Sequence, residues 1–175
     1  MFLIKWLLQK DEQLLDFIAR RLYHPRIKPV MSFLSHPPGW RFPVAIIILL
    51  LLIFGAPSTR LRVGLLLLAV LLSDQTCNLL KAVFKRPRPK GMRPAKGNFW
   101  KILGRHSFPS SHAANNFAVA IMVARWFPPA TFPLFLWASL VTFSRIYLKN
   151  HYPLDALGGA LTGTAWGLVI LHLFS

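Results

Sequence analysis

A chain of 175 residues is long enough for one domain, and its composition argues against a soluble one. Hydrophobic residues make up 54% of the sequence and charged residues only 15%, too few to cover the surface of a soluble fold. The 21 lysines and arginines outnumber the five acids and give a formal net charge of +16, so the partner should be anionic. Nucleic acid, anionic lipid head groups and a phosphorylated substrate all meet that requirement. The single cysteine, Cys77, permits no internal disulfide.

The N-terminal region is predicted to lie along a membrane surface. Apolar residues recur at helical spacing among charged residues in 1–24, a pattern typical of a helix in the membrane interface. A soluble amphipathic helix packed on a core would show the same pattern. Lysines interrupt the apolar stretch and no small-residue cleavage site follows, so the region does not resemble a cleaved signal peptide.

The rest of the chain predicts membrane-spanning helices. Apolar runs of sufficient length, separated by turn signals, predict five spans at 42–56, 61–84, 112–127, 131–148 and 154–174. The expected fold class is all-α: an integral membrane bundle of five to six transmembrane helices with an amphipathic interfacial N-terminal segment. Gly159, Gly163 and Gly167 recur every four residues in the last span, which favours close helix packing.

The second half of the span at 61–84 is polar. Asp74, Asn78 and Lys81 fall on one helical face. Charged groups are costly at membrane depth, so this face should point into the protein interior or into a wet cavity.

Three polar clusters are expected to meet at one end of the bundle. The span at 61–84 leads to one membrane face, the span at 112–127 leaves that face, and the span at 131–148 returns to it. The clusters brought together are Lys81 with Arg88, Ser110 to His112, and Arg145 to Asp155.

These clusters contain the groups that phosphoryl chemistry needs. The planar fork of arginine matches phosphate oxygens, and the first turn of a helix offers free N–H groups to an anion. Two imidazoles can act as nucleophile and general acid, and a carboxylate four residues after one of them can orient its ring. Taken singly, each residue has a structural alternative: a snorkelling lysine, a basic-loop arginine, a helix cap or an interfacial histidine. Those alternatives do not predict convergence at one face.

The motifs resemble the three-part signature of the type 2 phosphatidic acid phosphatase (PAP2) superfamily. They read Lys81-x6-Arg88-Pro89, Pro109-Ser110-Ser111-His112 and Ser144-Arg145-x5-His151-x3-Asp155, with Ser111 where the family usually has glycine. The resemblance covers most of the chain beyond residue 80. It implies one domain over 1–175, in which an interfacial segment, 1–41, precedes a transmembrane catalytic core, 42–175.

The resemblance also implies a mechanism. The chain would be a membrane-embedded lipid phosphate phosphatase in which His151 attacks phosphorus, Asp155 orients it, and His112 protonates the leaving oxygen and then activates water. No cofactor is expected, and no metal, since only Asp155 offers a carboxylate near this face. The implied phosphate-binding residues are Lys81, Arg88, Ser110, Ser111 and Arg145.

The lipid itself is less constrained. The loop from residue 85 to 105 contains eight cations and no acid, which favours a head group with several negative charges; a solvated loop held on anionic lipids is the alternative. Within the superfamily the chain resembles the bacterial lipid A 1-phosphatases first and the undecaprenyl pyrophosphate phosphatases second, followed by enzymes acting on phosphatidylglycerol phosphate and phosphatidic acid. The predicted partner is a phosphorylated membrane lipid and not nucleic acid. The eight cations are Lys85, Arg86, Arg88, Lys90, Arg93, Lys96, Lys101 and Arg105.

Two arguments disagree about orientation. All the lysines and arginines except Arg60, Arg62 and Arg125 are predicted at the active-site face, which the positive-inside rule would make cytoplasmic. The family resemblance implies the periplasmic face of the bacterial inner membrane, and cations that bind phosphate are not independent evidence of topology. We expect a multi-pass inner-membrane protein with a periplasmic active site.

Other functions stay open at this point. A lipid-to-lipid phosphotransferase would use the same phosphohistidine and hand the phosphate to a second lipid. A small transporter or a membrane-binding module would use the cations only to attract lipid and would not need His151.

Overall fold

The structure is a computed structural model that describes residues 2–36, 39, 41–89 and 105–174. Within these ranges the chain forms helices and no strand, which confirms the all-α class. A short 3₁₀ helix, Pro128–Ala130, precedes the sixth α-helix. The described residues form seven α-helices: α1 (Phe2–Arg21), α2 (Lys28–Ser35), α3 (Arg41–Phe54), α4 (Pro57–Phe84), α5 (Ser111–Trp126), α6 (Thr131–Tyr147) and α7 (Pro153–Leu173).

The helices after residue 41 lie where the spans were predicted. Helices α4 and α7 are long and apolar enough to cross a membrane, and α3 contributes a shorter apolar stretch, Phe42–Phe54. The bounds of α5 and α6 agree with the predicted spans to within one residue, but these helices have only 16 and 17 residues. The count of five to six spans therefore stays a prediction.

Helix α5 lies at the centre of the bundle, packed against α4, α6 and α7. The glycine stripe of α7 is what lets α5 approach so closely, as predicted. A Cβ atom on Gly159 would lie 2.2 Å from the Ser110 carbonyl oxygen, and one on Gly163 would lie 1.9 Å from that of Ala114. This packing brings the start of α7 against the start of α5.

The polar half of α4 turns partly inward. Ser73, Cys77 and Lys81 are buried against the bundle. Asp74 and Asn78 are only half-buried, and the Asn78 amide donates to the Asp74 carboxylate at 3.1 Å. The prediction of an inward-facing side chain is thus correct for Lys81, whereas Asp74 and Asn78 lie to one side of the buried face. The buried face of α4 follows every fourth residue from Ser73 to Lys81.

Helix α1 has one face against the bundle and one face open. Asp11, Leu15 and Ile18 are buried at helical spacing, whereas Leu14 and Phe17 are about half exposed. The short helix α2 is not distinguished from its surroundings by any pattern in the sequence. It begins just before a proline, an arrangement that suits a helix start because the missing N–H would have no partner there.

Candidate active site

His151 lies in the short loop between α6 and α7 and is 2% exposed. Its Nδ1 is 2.8 Å from the Ser107 carbonyl oxygen. A carbonyl only accepts, so Nδ1 carries the proton and Nε2 keeps its lone pair. That Nε2 lies 3.3 Å from a guanidinium nitrogen of Arg88. The free ring nitrogen therefore points toward a cation.

The carbonyl that holds His151 is itself held by the segment after α4. The Ser107 N–H donates to the Arg86 carbonyl at 2.8 Å, and its hydroxyl donates to the Pro87 carbonyl at 3.1 Å. An isolated antiparallel bridge between Pro87 and His106 aligns the two segments. The basic motif and the histidine motif are thereby joined through the backbone.

The environment of His151 disfavours its protonation. Burial lowers the pKa of His151 to about 4, and the cations of Arg88 and Arg145 act in the same direction while the Asp155 carboxylate opposes them. The imidazole is therefore neutral near pH 7, as a nucleophile must be.

Asp155 is fully buried in the first turn of α7. One carboxylate oxygen accepts from the Tyr152 N–H at 2.9 Å and lies 3.7 Å from His151 Nδ1. The other accepts from Arg86 at 2.8 Å. A separation of 3.7 Å is too long for a hydrogen bond but short enough for strong attraction inside a protein. Asp155 therefore attracts the His151 ring electrostatically, while the hydrogen bond on the ring goes to Ser107. Its orienting role in catalysis stays a prediction.

Two of the predicted phosphate-binding cations lack a carboxylate partner. Lys81 is 6% exposed and donates to the Ser111 hydroxyl at 2.5 Å. Arg145 is 4% exposed, donates to the Ser35 hydroxyl, and lies 3.2 Å from His36 Nδ1. Its Nε has no hydrogen-bond partner, and neither cation forms an ion pair with any residue that the structure describes. An uncompensated buried charge is costly, so this arrangement suits the binding of an external anion.

Arg88 completes the cationic group. It donates to the Asn150 carbonyl at 3.0 Å, in the same loop as His151. Burial lowers the pKa of Arg88, which reflects the removal of its guanidinium from water. Arg88 thus brings charge to the edge of the imidazole.

Two serines at the start of α5 have different roles: Ser110 caps the helix, and Ser111 is its first residue. The Ser110 hydroxyl accepts from the Ala113 N–H at 3.5 Å, and the Ser110 N–H donates to the Asp155 carbonyl at 2.9 Å. Both groups of Ser110 are thus used inside the protein, so the N–H groups available to an anion begin at Ser111. Ser111 is helical, and serine in place of the usual glycine requires no positive φ here.

His112 lies in the first turn of α5 beside the cations. Its ring meets that of His36 edge-on at 5.1 Å, and Arg145, His151 and Lys81 are close enough to act on it electrostatically. The structure therefore brings the second imidazole to the same pocket.

Sequence reasoning missed several residues that contact the site. A backbone carbonyl such as that of Ser107 has no side-chain signature, and the contacts of α2 depend on how that helix docks. Asp11 did leave a signal, since an acid shares the buried stripe of α1 with Leu15 and Ile18. The missed residues are Asp11, Ser35, His36, Arg86 and Ser107.

The basic loop is only partly described. Lys90, Arg93, Lys96 and Lys101 lie outside the described residues, and Lys85 and Arg105 are exposed. Arg86 and Arg88 point to the site, so a role in reading the head group stays a prediction for the others. Across the described ranges no three His, Cys, Asp or Glu side chains gather as a metal site would require.

Comparison with known proteins gives consistent matches. The family model described as the PAP2 superfamily matches residues 62–175. A lipid A 4'-phosphatase of Bacteroides thetaiotaomicron is 31% identical over 92% of this chain and 75% of its own length. One of Porphyromonas gingivalis is 29% identical over 85% and 65%, respectively. The undecaprenyl-diphosphatase BcrC of Bacillus subtilis is 32% identical over 38% of this chain and 34% of its own.

Two solved structures share the fold. The crystal structure of Aquifex aeolicus LpxE superposes with a TM-score of 0.72 at 28% identity, over 91% of this chain and 93% of that one. The transmembrane PAP2-type phosphatidylglycerolphosphate phosphatase from Bacillus subtilis superposes with a TM-score of 0.73 at 21% identity, over 95% and 85%. These likenesses extend over nearly the whole bundle.

Proposed function

The chain belongs to the PAP2 superfamily and is a hydrolase of phosphoric esters, and on that premise we propose that it removes a phosphate from lipid A through a phosphohistidine at His151. One observation carries the mechanism: a buried, neutral imidazole points its unprotonated nitrogen toward the Arg88 guanidinium, while the buried cations Lys81 and Arg145 form no ion pair with any described carboxylate. A phosphoryl group brings the negative charge that those cations lack, with oxygens that fit arginine forks and helix N–H groups.

In the first step the lone pair of His151 Nε2 attacks phosphorus. The N–P bond forms while the bond from phosphorus to the lipid oxygen breaks. His112, whose charged imidazolium form the bound phosphate favours, gives its proton to that oxygen and becomes neutral. Nδ1 keeps its proton and donates it in a hydrogen bond to the Ser107 carbonyl. The positive charge that develops on the ring is balanced by Asp155 at 3.7 Å.

In the second step water attacks the phosphohistidine. His112 takes a proton from the water, the N–P bond breaks, and its electron pair returns to Nε2. Inorganic phosphate leaves, and both histidines regain their starting protonation.

The phosphoryl oxygens would be held by Lys81, Arg88 and Arg145 together with the first N–H groups of α5. Arg145 supports this best, because its buried Nε has no acceptor among the described residues. These groups are already in place before charge shifts in the reaction, so little reorganisation is needed. Ser110 contributes by capping α5 and not by direct contact with phosphate.

The relatives favour one phosphate position. Both similar curated lipid A enzymes are named 4'-phosphatases, which argues against the 1-phosphate that the sequence analysis preferred. We therefore place the 4'-phosphate first. Undecaprenyl diphosphate is the second candidate, on the strength of the shorter match to BcrC.

The setting we propose is an inner membrane, with α1 in the interface and the site at the periplasmic face. Helix α3 supports embedding, since Ile46, Ile47 and Ile53 are about half exposed on an uninterrupted apolar helix. Helix α1 supports an interfacial position through its open apolar face, which includes Leu3 and Phe17.

The test is phosphate release from bis-phosphorylated lipid A in neutral detergent containing EDTA. We expect release, loss of the 4'-phosphate by tandem mass spectrometry, and no activity in His151→Ala. Phosphatidic acid and undecaprenyl diphosphate are run alongside. Rapid release from undecaprenyl diphosphate with none from lipid A would replace the first candidate by the second, and restoration of activity by Mg²⁺ after EDTA would overturn the metal-free mechanism.

A further inference from the structure

Arg86 joins two buried carboxylates, one in α7 and one in α1. One of its guanidinium nitrogens lies 2.8 Å from Asp155 Oδ1, and the other lies 2.6 Å from Asp11 Oδ2. The side chain of Arg86 is 13% exposed and those of the two acids 0% and 1%. The guanidinium also lies 4.0 Å above the Tyr152 ring, which fixes its plane.

Both acids are anchored by the start of α7 as well. Asp155 accepts from the Tyr152 N–H at 2.9 Å, and Asp11 accepts from the Leu154 N–H at 2.9 Å. Burial raises the pKa of Asp11, while its bonds to Leu154 and Arg86 favour the charged form. Asp11 belongs to α1, so this contact docks the N-terminal helix against the catalytic end of α7.

We propose that Arg86 and Asp11 are positioning residues that hold the Asp155 carboxylate beside His151 and thereby couple the docking of α1 to turnover. This inference rests on the proposed phosphohistidine chemistry. A fork is required because one cation must contact two carboxylates at once, which a lysine ammonium does less well. Arg86 is one of the eight cations of the loop expected to read the head group, but its two ion pairs make it unavailable for that role.

The ion pair between Arg86 and Asp155 affects the electrostatic potential at His151 as well as the position of the carboxylate. The groups that face this histidine are Asp155 from α7, Arg145 from α6, His112 from α5, and Arg88 from the loop after α4. Arg86 neutralises part of the charge of Asp155. Without it the carboxylate would act on His151 in full, so the imidazole would protonate at higher pH.

The first test is Arg86→Gln, with Arg21→Gln, an exposed arginine at the end of α1, as the matched control. We expect kcat to fall on the order of tenfold to a hundredfold, since small misplacements of catalytic groups have effects of that size. KM should change little, and the acid limb of kcat/KM should move to higher pH. Arg86→Lys keeps the charge but not the fork, so it should lose rate while the acid limb stays in place.

The second test is Asp11→Asn with Glu12→Gln, the exposed neighbouring acid, as its control. This substitution removes only the ion pair between Asp11 and Arg86 and keeps a side chain of the same shape. We expect a kcat at least threefold below that of the control, and a double variant with Arg86→Gln that loses less than the two single losses combined.

A wild-type kcat and pH profile in Arg86→Gln would overturn the proposal, as would a change confined to KM, which would indicate head-group binding. If Arg86→Gln does not fold, Asp11→Asn decides alone, and equality with Glu12→Gln overturns the proposal. His151→Ala distinguishes a failure of the proposed function from a failure of the positioning role. If it stays active, the proposed function itself is wrong; if it is inactive while the Arg86 and Asp11 variants match their controls, only the positioning role is wrong.

Discussion

At the scale of single residues, the state of His151 controls the pH dependence. Burial lowers its pKa to about 4, below the ordinary 6.5, so the protonation that removes the nucleophile occurs only at lower pH. We predict an acid limb of kcat/KM near pH 4. The measurement is kcat/KM from about pH 3 to pH 8, with the second ionisation of the substrate, near pH 6, titrated separately. An enzyme limb close to pH 6.5 would contradict the shielding of His151.

Asp155→Asn tests how much the negative charge near His151 contributes to kcat, separately from the tautomer of the His151 ring. The Ser107 carbonyl still holds Nδ1, so the ring should stay in its attacking form. We predict a loss of kcat on the order of 10²-fold, smaller than the ~10⁴-fold seen where a carboxylate alone sets the tautomer. Single-turnover rates check this. Full activity, or inactivity equal to that of His151→Ala, would contradict it.

The sequence predicted which side chains meet at the candidate site much better than it predicted which groups they contact. His112, His151 and Asp155 could be singled out because residue type and spacing carry chemistry, and their catalytic roles stay a prediction. The hydrogen bond from His151 to Ser107 depends on a backbone carbonyl, and the inward turn of Arg86 depends on an acid far away in the chain. Neither leaves a local signal, so both required the fold.

At the scale of elements, the contact between α5 and α7 should depend on glycine. A methyl group on Gly163 would lie 1.9 Å from a backbone oxygen of α5, which cannot move without shifting the helix. We predict that Gly163→Ala lowers stability by at least about 1–3 kcal/mol. Gly64→Ala is the matched control, because nothing lies within 4 Å of that position in α4. It should be neutral or gain about 0.5–1 kcal/mol.

Thermal unfolding in detergent measures both variants. A lower Tm for Gly163→Ala only, with reduced activity, is expected because the same contact aligns the two halves of the site. Equal Tm changes in the two variants would show that the glycines do not set the packing.

Helix positions were predicted to within a few residues where apolar runs and prolines mark them, as for α5 and α6. The short helix α2 was not, since eight residues with a proline at the second position give too little periodicity. Its docking nevertheless brings Ser35 and His36 to Arg145. Elements defined by tertiary contacts are the ones that local patterns miss.

At the scale of the whole molecule, charge is divided unevenly along the bundle, and orientation can be measured directly. Lys149 is exposed in the loop before His151, and Pro129 is exposed in the turn between α5 and α6, at the opposite end. We predict that Lys149→Cys reacts with an impermeant maleimide in intact cells and that Pro129→Cys reacts only after permeabilisation. Native Cys77 is buried and serves as the background. The reverse pattern would place the active site in the cytoplasm.

The central claim is that His151 becomes covalently phosphorylated, and trapping the intermediate tests it most directly. His112→Gln should slow attack by water, so an ester with a good leaving group, which needs little protonation, should let the phosphoenzyme accumulate. Quenched samples are digested and the phosphorylated residue is located by mass spectrometry, with His151→Ala in parallel. The account predicts one phosphate on His151 that survives alkali and is lost in acid. A phosphate that survives acid and is lost in alkali, or one that is still present in His151→Ala, would contradict it.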